Sequence, residues 1–112
     1  MTIEEIKENQ KIFDKKYTGN IDFFENIDNE NIEPLEHLIV CMLGEFGEFS
    51  NIVKKIKRGD FSLLEKEKEL KEEYADIFIY MIKIANQLDI NIEGEYISKM
   101  KKNEKRFEKF LK

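Results

Sequence analysis

The 112-residue chain has little of several residue types that characterise other protein classes: one cysteine, one histidine, one proline and no tryptophan. With Cys41 alone, no disulfide can form within the chain, so we expect a reducing compartment, the cytoplasm. No apolar run approaches the roughly 20 residues that span a bilayer, and residues 1–10 lack the apolar core of a secretory signal. The sequence therefore predicts neither a membrane protein nor a disulfide-rich secreted one.

Outside one segment, negative charges outnumber positive charges. The chain has 24 Asp and Glu against 19 Lys and Arg, a net charge of −5. Residues 99–112 contain seven Lys or Arg and two Glu, so they carry +5 and residues 1–98 carry −10. Duplex nucleic acid favours a basic surface, and we expect no nucleic-acid partner for an acidic protein. The split in charge leaves open a cation site in the body and an anion site in the basic segment.

Glycine and proline are also rare inside long stretches of strong helix formers, and no strand alternation or internal repeat is visible. The length fits one domain, residues 1–112. Capping residues or a first-turn proline predict four helix starts, at Thr2, Pro34, Ser62 and Asn91. We expect the first helix to end near Tyr17 and the second at Gly59. Whether residues 61–70 belong to the third helix is open. The sequence predicts an all-α, four-helix-bundle-like fold.

Apolar residues recur at helical spacing in each predicted helix and mark its expected inward face. In chain order they are Ile3, Ile6, Phe13, Tyr17, Leu35, Leu38, Ile39, Met42, Phe46, Phe49, Val53, Ile56, Leu70, Tyr74, Ile77, Phe78, Met81, Ile84, Ala85, Leu88, Tyr96, Ile97, Met100, Phe107 and Leu111. The connection before the second helix contains Phe23 and Phe24, so we expect it to be partly packed.

Residues 77–82, Ile-Phe-Ile-Tyr-Met-Ile, are apolar most of the way round the third helix. A surface helix of a small monomer normally shows one polar face. We therefore expect burial on two sides, one of them by another subunit. The alternative is that the first helix and Phe23–Phe24 cover the second side.

Two pairs of carboxylates have the same spacing: Glu45 with Glu48, and Glu73 with Asp76. Residues three apart share one helix face, and antiparallel packing of the two helices brings the pairs together. Such like charges repel one another unless a cation is present. An all-oxygen site favours Mg²⁺ first and Mn²⁺ second. A di-iron bundle would add Glu-x-x-His pairs, and His37 forms none. A solvated acidic face is the alternative.

Three segments carry a resemblance to a known family. Residues 44–48, Gly-Glu-Phe-Gly-Glu, and residues 72–77, Glu-Glu-Tyr-Ala-Asp-Ile, match an E-x-x-E motif followed by E-x-x-D. Residues 99–106 are similar to a K-x-x-x-N-x-x-R segment. In this order, over about residues 35–107, the chain resembles the MazG-like nucleotide pyrophosphohydrolases of the all-α NTP pyrophosphatase superfamily.

The resemblance implies a Mg²⁺-dependent enzyme of nucleotide-pool housecleaning. It cleaves a nucleoside triphosphate between the α- and β-phosphates and releases monophosphate and pyrophosphate. Metal ligands would be Glu45, Glu48, Glu73 and Asp76, with Glu45 or Glu48 as the base for the attacking water. Implied contacts to phosphate or sugar, some of them from a neighbouring subunit, are Lys99, Asn103 and Arg106. Lys54 is a further phosphate candidate and Tyr80 a pocket-lining candidate. Family members are commonly homodimers or homotetramers built from helix pairs.

The chain departs from the family pattern at one position. Many relatives have Glu-Glu where this chain has Gly44-Glu45, so the ligand pattern remains but any support from the first Glu is missing. Two other functions stay open. One is a pyrophosphatase with a dUTPase-like preference, and the other is a non-enzymatic helical oligomerisation or adaptor module.

Overall fold

The structure, a computed structural model, describes residues 1–20 and 22–112. It contains four α-helices, α1 (Ile3–Lys16), α2 (Glu33–Arg58), α3 (Leu63–Gln87) and α4 (Ile92–Arg106), and a terminal 3₁₀ turn, Glu108–Phe110. No strand occurs in these residues, so the all-α prediction is confirmed. None of the helices in the described ranges combines the length and apolarity needed to cross a membrane.

The helix boundaries lie where the capping residues predict them. The Thr2 and Ser62 hydroxyls accept hydrogen bonds from the Glu5 and Glu65 amides at 3.1 Å, and the Asn91 side chain accepts one at 3.0 Å. Helix α2 ends at Gly59 in the left-handed conformation, φ 96°. Helix α3 is continuous from Leu63, so most of the undecided residues 61–70 belong to it.

Helices α2 and α3 form the centre of the fold. The short connection over residues 59–62 turns α3 back along α2, and these two helices make the most extensive contact in the molecule. Helix α1 packs on α3. The buried apolar side chains in the described residues are Leu38 from α2 and Ile77, Ile82 and Ala85 from α3. This antiparallel pair carries both predicted carboxylate motifs.

Helix α1 buries a polar face, contrary to the predicted one. The buried Lys7 ammonium donates to the Ile90 carbonyl at 2.7 Å, and Asp14 is buried against α3. Phe13 and Tyr17 are 54% and 61% exposed, and their rings contact each other at 4.7 Å between centroids. The prediction that Phe13 and Tyr17 face inward is therefore wrong for the single chain, because the polar contacts to α3 set the rotation of α1.

Several other predicted core residues are exposed, because none of the described elements of the same chain covers them. Helix α4 contacts the terminal 3₁₀ turn and makes at most isolated contacts with α1, α2 or α3. The predicted inward residues that the structure leaves exposed in α2, α3 and beyond are Ile39, Phe46, Val53, Tyr74, Phe78, Met81, Leu88, Tyr96, Ile97, Met100, Phe107 and Leu111.

The apolar segment 77–82 is buried on two sides and exposed on a third. Ile77 and Ile82 are buried between α3 and its neighbours, which include α1. Phe78, Ile79 and Met81 are 37–50% exposed. Phe23 and Phe24 are half-buried, as expected of a partly packed connection. Helix α1 therefore covers part of this segment, but an apolar strip of α3 remains uncovered.

The dimensions of the chain also differ from those of a compact monomer. Its radius of gyration is 17.4 Å, whereas a compact domain of this length has about 13 Å. Its accessible surface is 8986 Å², whereas a folded monomer of this mass exposes about 6,500 Å². The chain alone is an open helical assembly with an excess of about 2,500 Å² of surface.

Candidate active site

Three carboxylates from the two central helices converge. Glu45 of α2 and Glu73 and Asp76 of α3 each place one oxygen within 4.8 Å of the other two. The i, i+3 spacing puts Glu73 and Asp76 on the same face of α3, and the antiparallel packing turns that face toward Glu45. We call Glu45, Glu73 and Asp76 the acidic triad.

Glu48, the fourth predicted carboxylate, lies beside the triad and outside its close grouping. Its side chain is exposed, and it is not among the residues whose oxygens lie within 4.8 Å of one another. It still reaches Glu73, since a hydrogen bond with Glu48 lowers the pKa of Glu73 and partly offsets the effects that raise it. The structure therefore brings three of the four predicted carboxylates together and leaves the fourth at the edge.

The triad is electrostatically unfavourable without a cation. The pKa of Glu73 is raised, first by a hydrogen bond shared with Glu45, then by burial and by the charges of Glu45 and Asp76. When both carboxylates are ionised neither can donate that hydrogen bond. Glu45 Oε2 and Glu73 Oε2 are buried and have no hydrogen-bond partner in the described part of the chain. Buried oxygens without donors fit a hard divalent cation, so the residues present suit Mg²⁺ or Mn²⁺.

Tyr80 lies one helical turn beyond Asp76 and borders the triad. Its pKa is raised by burial, by the neighbouring Cys41 thiol and by the charges of Glu45 and Asp76. Cys41 is half-buried and precedes Glu45 by one turn of α2. Tyr80 and Cys41 therefore meet across the α2–α3 contact, on the side of the triad away from the 59–62 connection.

A comparison with protein families decides which of the known helical folds this is. The model of the MazG nucleotide pyrophosphohydrolase domain matches residues 33–111. The chain belongs to this family. The matched range contains the acidic triad, Glu48 and the basic segment of α4, so the resemblance drawn from the motifs is confirmed. Membership supports a function of the nucleotide pyrophosphohydrolase type.

One relative is a viral protein whose name states no activity. This MazG domain is 37% identical over 65 residues to the "Gene 37 protein" of Mycobacterium phage L5. The match covers 56% of this chain and 57% of the phage protein, so it spans little more than half of either. No solved structure matches the chain.

In the single chain, the predicted phosphate contacts of the MazG domain do not form one site with the triad. Lys54 is distant from it along α2, and the other contacts lie on α4, which is not packed against α2 or α3. Lys54 is exposed on α2, nine residues beyond Glu45, which is about 13 Å along the helix axis. Lys99 and Arg106 are exposed on α4 and Asn103 is half-buried. The Arg106 guanidinium lies 5.0 Å from the centroid of the Phe107 ring. Because α4 does not pack on α2 or α3, the single chain gives α4 no packed position beside the triad.

The structure adds residues to the site region that the sequence patterns did not indicate. Lys83 follows Tyr80 on the same face of α3 and pairs with Asp14 of α1 at 3.4 Å. Phe23 and His37 stack at 5.7 Å between ring centroids. The sequence did contain a signal for Lys83. This charged residue directly follows the apolar segment 77–82, and it continues the helical spacing of Glu73, Asp76 and Tyr80 on one face of α3. No local signal marks Asp14, because it lies on the polar face of an ordinary amphipathic helix.

Proposed function

We propose that this MazG domain is a Mg²⁺-dependent nucleoside triphosphate pyrophosphohydrolase of the nucleotide pool. The observation that carries the proposal is the acidic triad, in which two buried carboxylate oxygens have no hydrogen-bond partner in the described residues. A solvated acidic face would leave these oxygens in water. The proposal takes residues 1–112 as one domain whose motif-bearing part matches the family.

In this proposal Glu45, Glu73 and Asp76 bind the metal, and Glu48 supports them beside Glu73. When bound, Mg²⁺ neutralises phosphate charge and increases the acidity of water. Glu48, whose carboxylate is exposed, is the first candidate for the general base, and Glu45 is the second. The base accepts one proton from water as the water oxygen bonds to the α-phosphorus. The bond from that phosphorus to the bridging oxygen breaks, and pyrophosphate leaves with the electron pair.

The basic segment completes the proposed site from a second copy. Lys99, Asn103 and Arg106 provide donors suited to phosphate and sugar oxygens. Among the described residues of one chain, α4 makes at most isolated contacts with α2 and α3, which carry the triad, so these contacts do not hold the donors near it. Lys54 is a further phosphate contact, and Tyr80 lines the nucleotide pocket beside Asp76.

The exposed surface supports a homodimer or homotetramer. The excess of about 2,500 Å² per chain is of the size that a subunit buries in an obligate homodimer, where interfaces total roughly 2,000–5,000 Å² or more. The uncovered strip of α3 with Phe78, Ile79 and Met81, and the apolar residues of α4, are the surfaces that such an interface would bury.

A substrate panel tests the proposed reaction. The protein is incubated with the common NTPs and dNTPs and Mg²⁺, and pyrophosphate and monophosphate are measured. We expect equal amounts of the two products from at least one substrate. Absence of turnover on every nucleotide by a helical, metal-binding protein would overturn the proposal. Turnover confined to dUTP would instead identify the dUTPase-like alternative.

The non-enzymatic alternative predicts a different response to metal. A helical adaptor with a solvated acidic face gains no stability from Mg²⁺ beyond a general salt effect. A metal site that exists only in the folded state raises Tm with metal concentration. Thermal unfolding in Mg²⁺, with K⁺ at matched ionic strength as the control, separates the two functions.

A further inference from the structure

A strip of side chains continues from the acidic triad along the α2–α3 contact. On α2, His37, Cys41 and Glu45 follow at intervals of four residues, which keeps them on one helix face. On α3, Tyr80 and Lys83 extend the face of Glu73 and Asp76. The rise from Asp76 to Lys83 is about 10 Å. The strip therefore extends from the metal ligands by a distance comparable with the sugar and base of a nucleotide.

The far end of this strip combines flat aromatic rings with one cation. Phe23 and His37 are stacked, with an angle of 18° between their planes. The Lys83 ammonium lies 5.2 Å from the centroid of the Phe23 ring and 5.8 Å from that of Tyr80. Aromatic faces are the surfaces on which nucleobases stack in proteins. The Lys83 ammonium adds hydrogen-bond donors to this aromatic end of the strip.

Asp14 holds Lys83 in this position through only one of its two carboxylate oxygens. Its Oδ1 lies 3.4 Å from the Lys83 ammonium and accepts a hydrogen bond from the Gln10 amide at 2.9 Å. The Asp14 side chain is 4% exposed and that of Lys83 is 17% exposed. Asp14 Oδ2 is buried and has no hydrogen-bond partner within residues 1–20 and 22–112. One carboxylate oxygen of this ion pair therefore has no donor among the described residues, in a region lined by aromatic rings.

We infer that Lys83 is a specificity-determining residue that donates a hydrogen bond to a carbonyl oxygen of the substrate base, with Asp14 as its positioning residue. The inference rests on the proposed function, because it assigns the base end of the same site. A lysine ammonium has three donors and no acceptor. Uracil, thymine, cytosine, guanine and hypoxanthine have a ring carbonyl, whereas adenine has an amino group and none. The substrates are therefore nucleotides with a carbonyl-bearing base, and adenine nucleotides are disfavoured.

The comparison of ITP with ATP tests this most directly. At the same ring carbon, hypoxanthine has a carbonyl group and adenine has an amino group, and the adjoining ring nitrogen carries a proton only in hypoxanthine. We expect kcat/KM for ITP to exceed that for ATP by about tenfold or more, the usual effect of one hydrogen bond to a charged group. In Lys83→Met, which keeps the length of the side chain, the ratio falls to about one. Lys83→Arg retains a preference for ITP, and Asp14→Asn reduces it.

Lys66→Met is the matched control. Lys66 is a half-buried lysine of the same helix, lies 4.2 Å from the Phe61 ring centroid and pairs with Glu69 at 3.3 Å. It is about five turns of α3 away from Lys83, so its loss leaves the ITP to ATP ratio unchanged. Circular dichroism confirms that each variant is folded.

The outcomes separate this inference from the proposed function. Turnover of ITP and ATP with equal kcat/KM by the wild-type protein overturns the inference and leaves the proposed function standing. So does an equal loss on both substrates in Lys83→Met, which identifies Lys83 as a structural residue. Absence of all nucleotide turnover overturns the proposed function, and the inference with it.

Discussion

Glu72 and Glu73 are adjacent in the sequence but lie in different surroundings. Glu72 is exposed to solvent, whereas Glu73 is half-buried, with one oxygen fully enclosed beside Glu45. The difference comes from the 100° rotation between neighbouring helical residues, which turns one side chain toward α2 and the other away from it. Single-residue changes at this site should therefore have very different effects according to face.

The first prediction concerns the carboxylates. Glu48→Ala and Asp76→Ala should each lower kcat/KM by about 100-fold or more, because each removes a group proposed to bind metal or accept the proton of water. Glu72→Ala, one residue before Glu73, should keep activity within about twofold. Steady-state kinetics measures the effect, with circular dichroism as the check on helicity. Full activity in both Glu48→Ala and Asp76→Ala would exclude the proposed roles of these two carboxylates.

The second prediction concerns pH and metal binding. The raised pKa of Glu73 means that the folded, metal-free protein favours the protonated carboxyl, so this group's contribution to stability is greatest at low pH and is lost as pH rises through the raised pKa. Metal binding needs the ionised form and competes with that proton. The increase in Tm caused by Mg²⁺ should be larger at about pH 8 than at about pH 5.

Glu73→Gln provides the control for this prediction. The glutamine cannot ionise. At about pH 8, Mg²⁺ should therefore raise the Tm of this variant by less than it raises the Tm of the wild-type protein. An equal Mg²⁺ effect at both pH values in the wild-type protein would contradict the assignment of Glu73 as a ligand.

At the scale of the helices, ends and faces follow different rules. Each end depends on residues within one turn of it, such as Ser62 with Glu65 or Gly59 at the end of α2. The buried face depends on what packs against the helix. For this reason all four helix starts lie where the sequence predicts them, while α1 buries Lys7 and Asp14 and leaves Phe13 and Tyr17 exposed.

Gly59 allows a test of a helix end. Its φ of 96° is in the left-handed region, and a Cβ added there meets no atom within 4 Å. Gly59→Ala should lower the free energy of unfolding by about 1–2 kcal/mol through backbone strain alone. Gly44 is inside α2 and also meets nothing within 4 Å. Gly44→Ala should therefore have the opposite sign and stabilise the protein by about 1 kcal/mol. Chemical denaturation measures both, and a neutral Gly59→Ala would contradict the account.

At the scale of the whole molecule, the fold of one chain leaves too much apolar surface exposed. The uncovered side chains include Phe78, Ile79 and Met81 of α3 and most apolar residues of α4. Exposed apolar patches of this extent are typical of association surfaces. The proposed position of Lys99, Asn103 and Arg106 in a neighbouring copy's site makes association and activity dependent on each other.

The last prediction follows from that dependence. Sedimentation or light scattering at micromolar concentration should give the mass of a dimer or tetramer. Met81→Glu places a charge on a half-exposed apolar position of α3, and it should shift the mass toward the monomer and lower kcat/KM. Lys68→Glu introduces the same residue at an exposed polar position of α3 and should change neither. A wild-type protein that stays monomeric would contradict the proposed assembly.

The site was partly predictable because the positions of its carboxylates depend on local spacing. The i, i+3 pairs set two carboxylates on one face of each helix, and the convergence of Glu45, Glu73 and Asp76 needed only the antiparallel turn at residues 59–62. The position of Glu48 at the edge was not predictable. It depends on how far the two helices are rotated about their axes, which packing over their whole length decides.

The scarcity of glycine and proline inside the helices, and the capping residues at their ends, determined the four helices from the sequence alone. These features act through hydrogen bonds and backbone preferences within a few residues. Only the tertiary structure decided that α1 buries polar residues, that Lys83 meets Asp14, and that α4 makes at most isolated contacts with the other three helices. These contacts join residues far apart in sequence, and no local pattern encodes the relative rotation of the helices that brings them together.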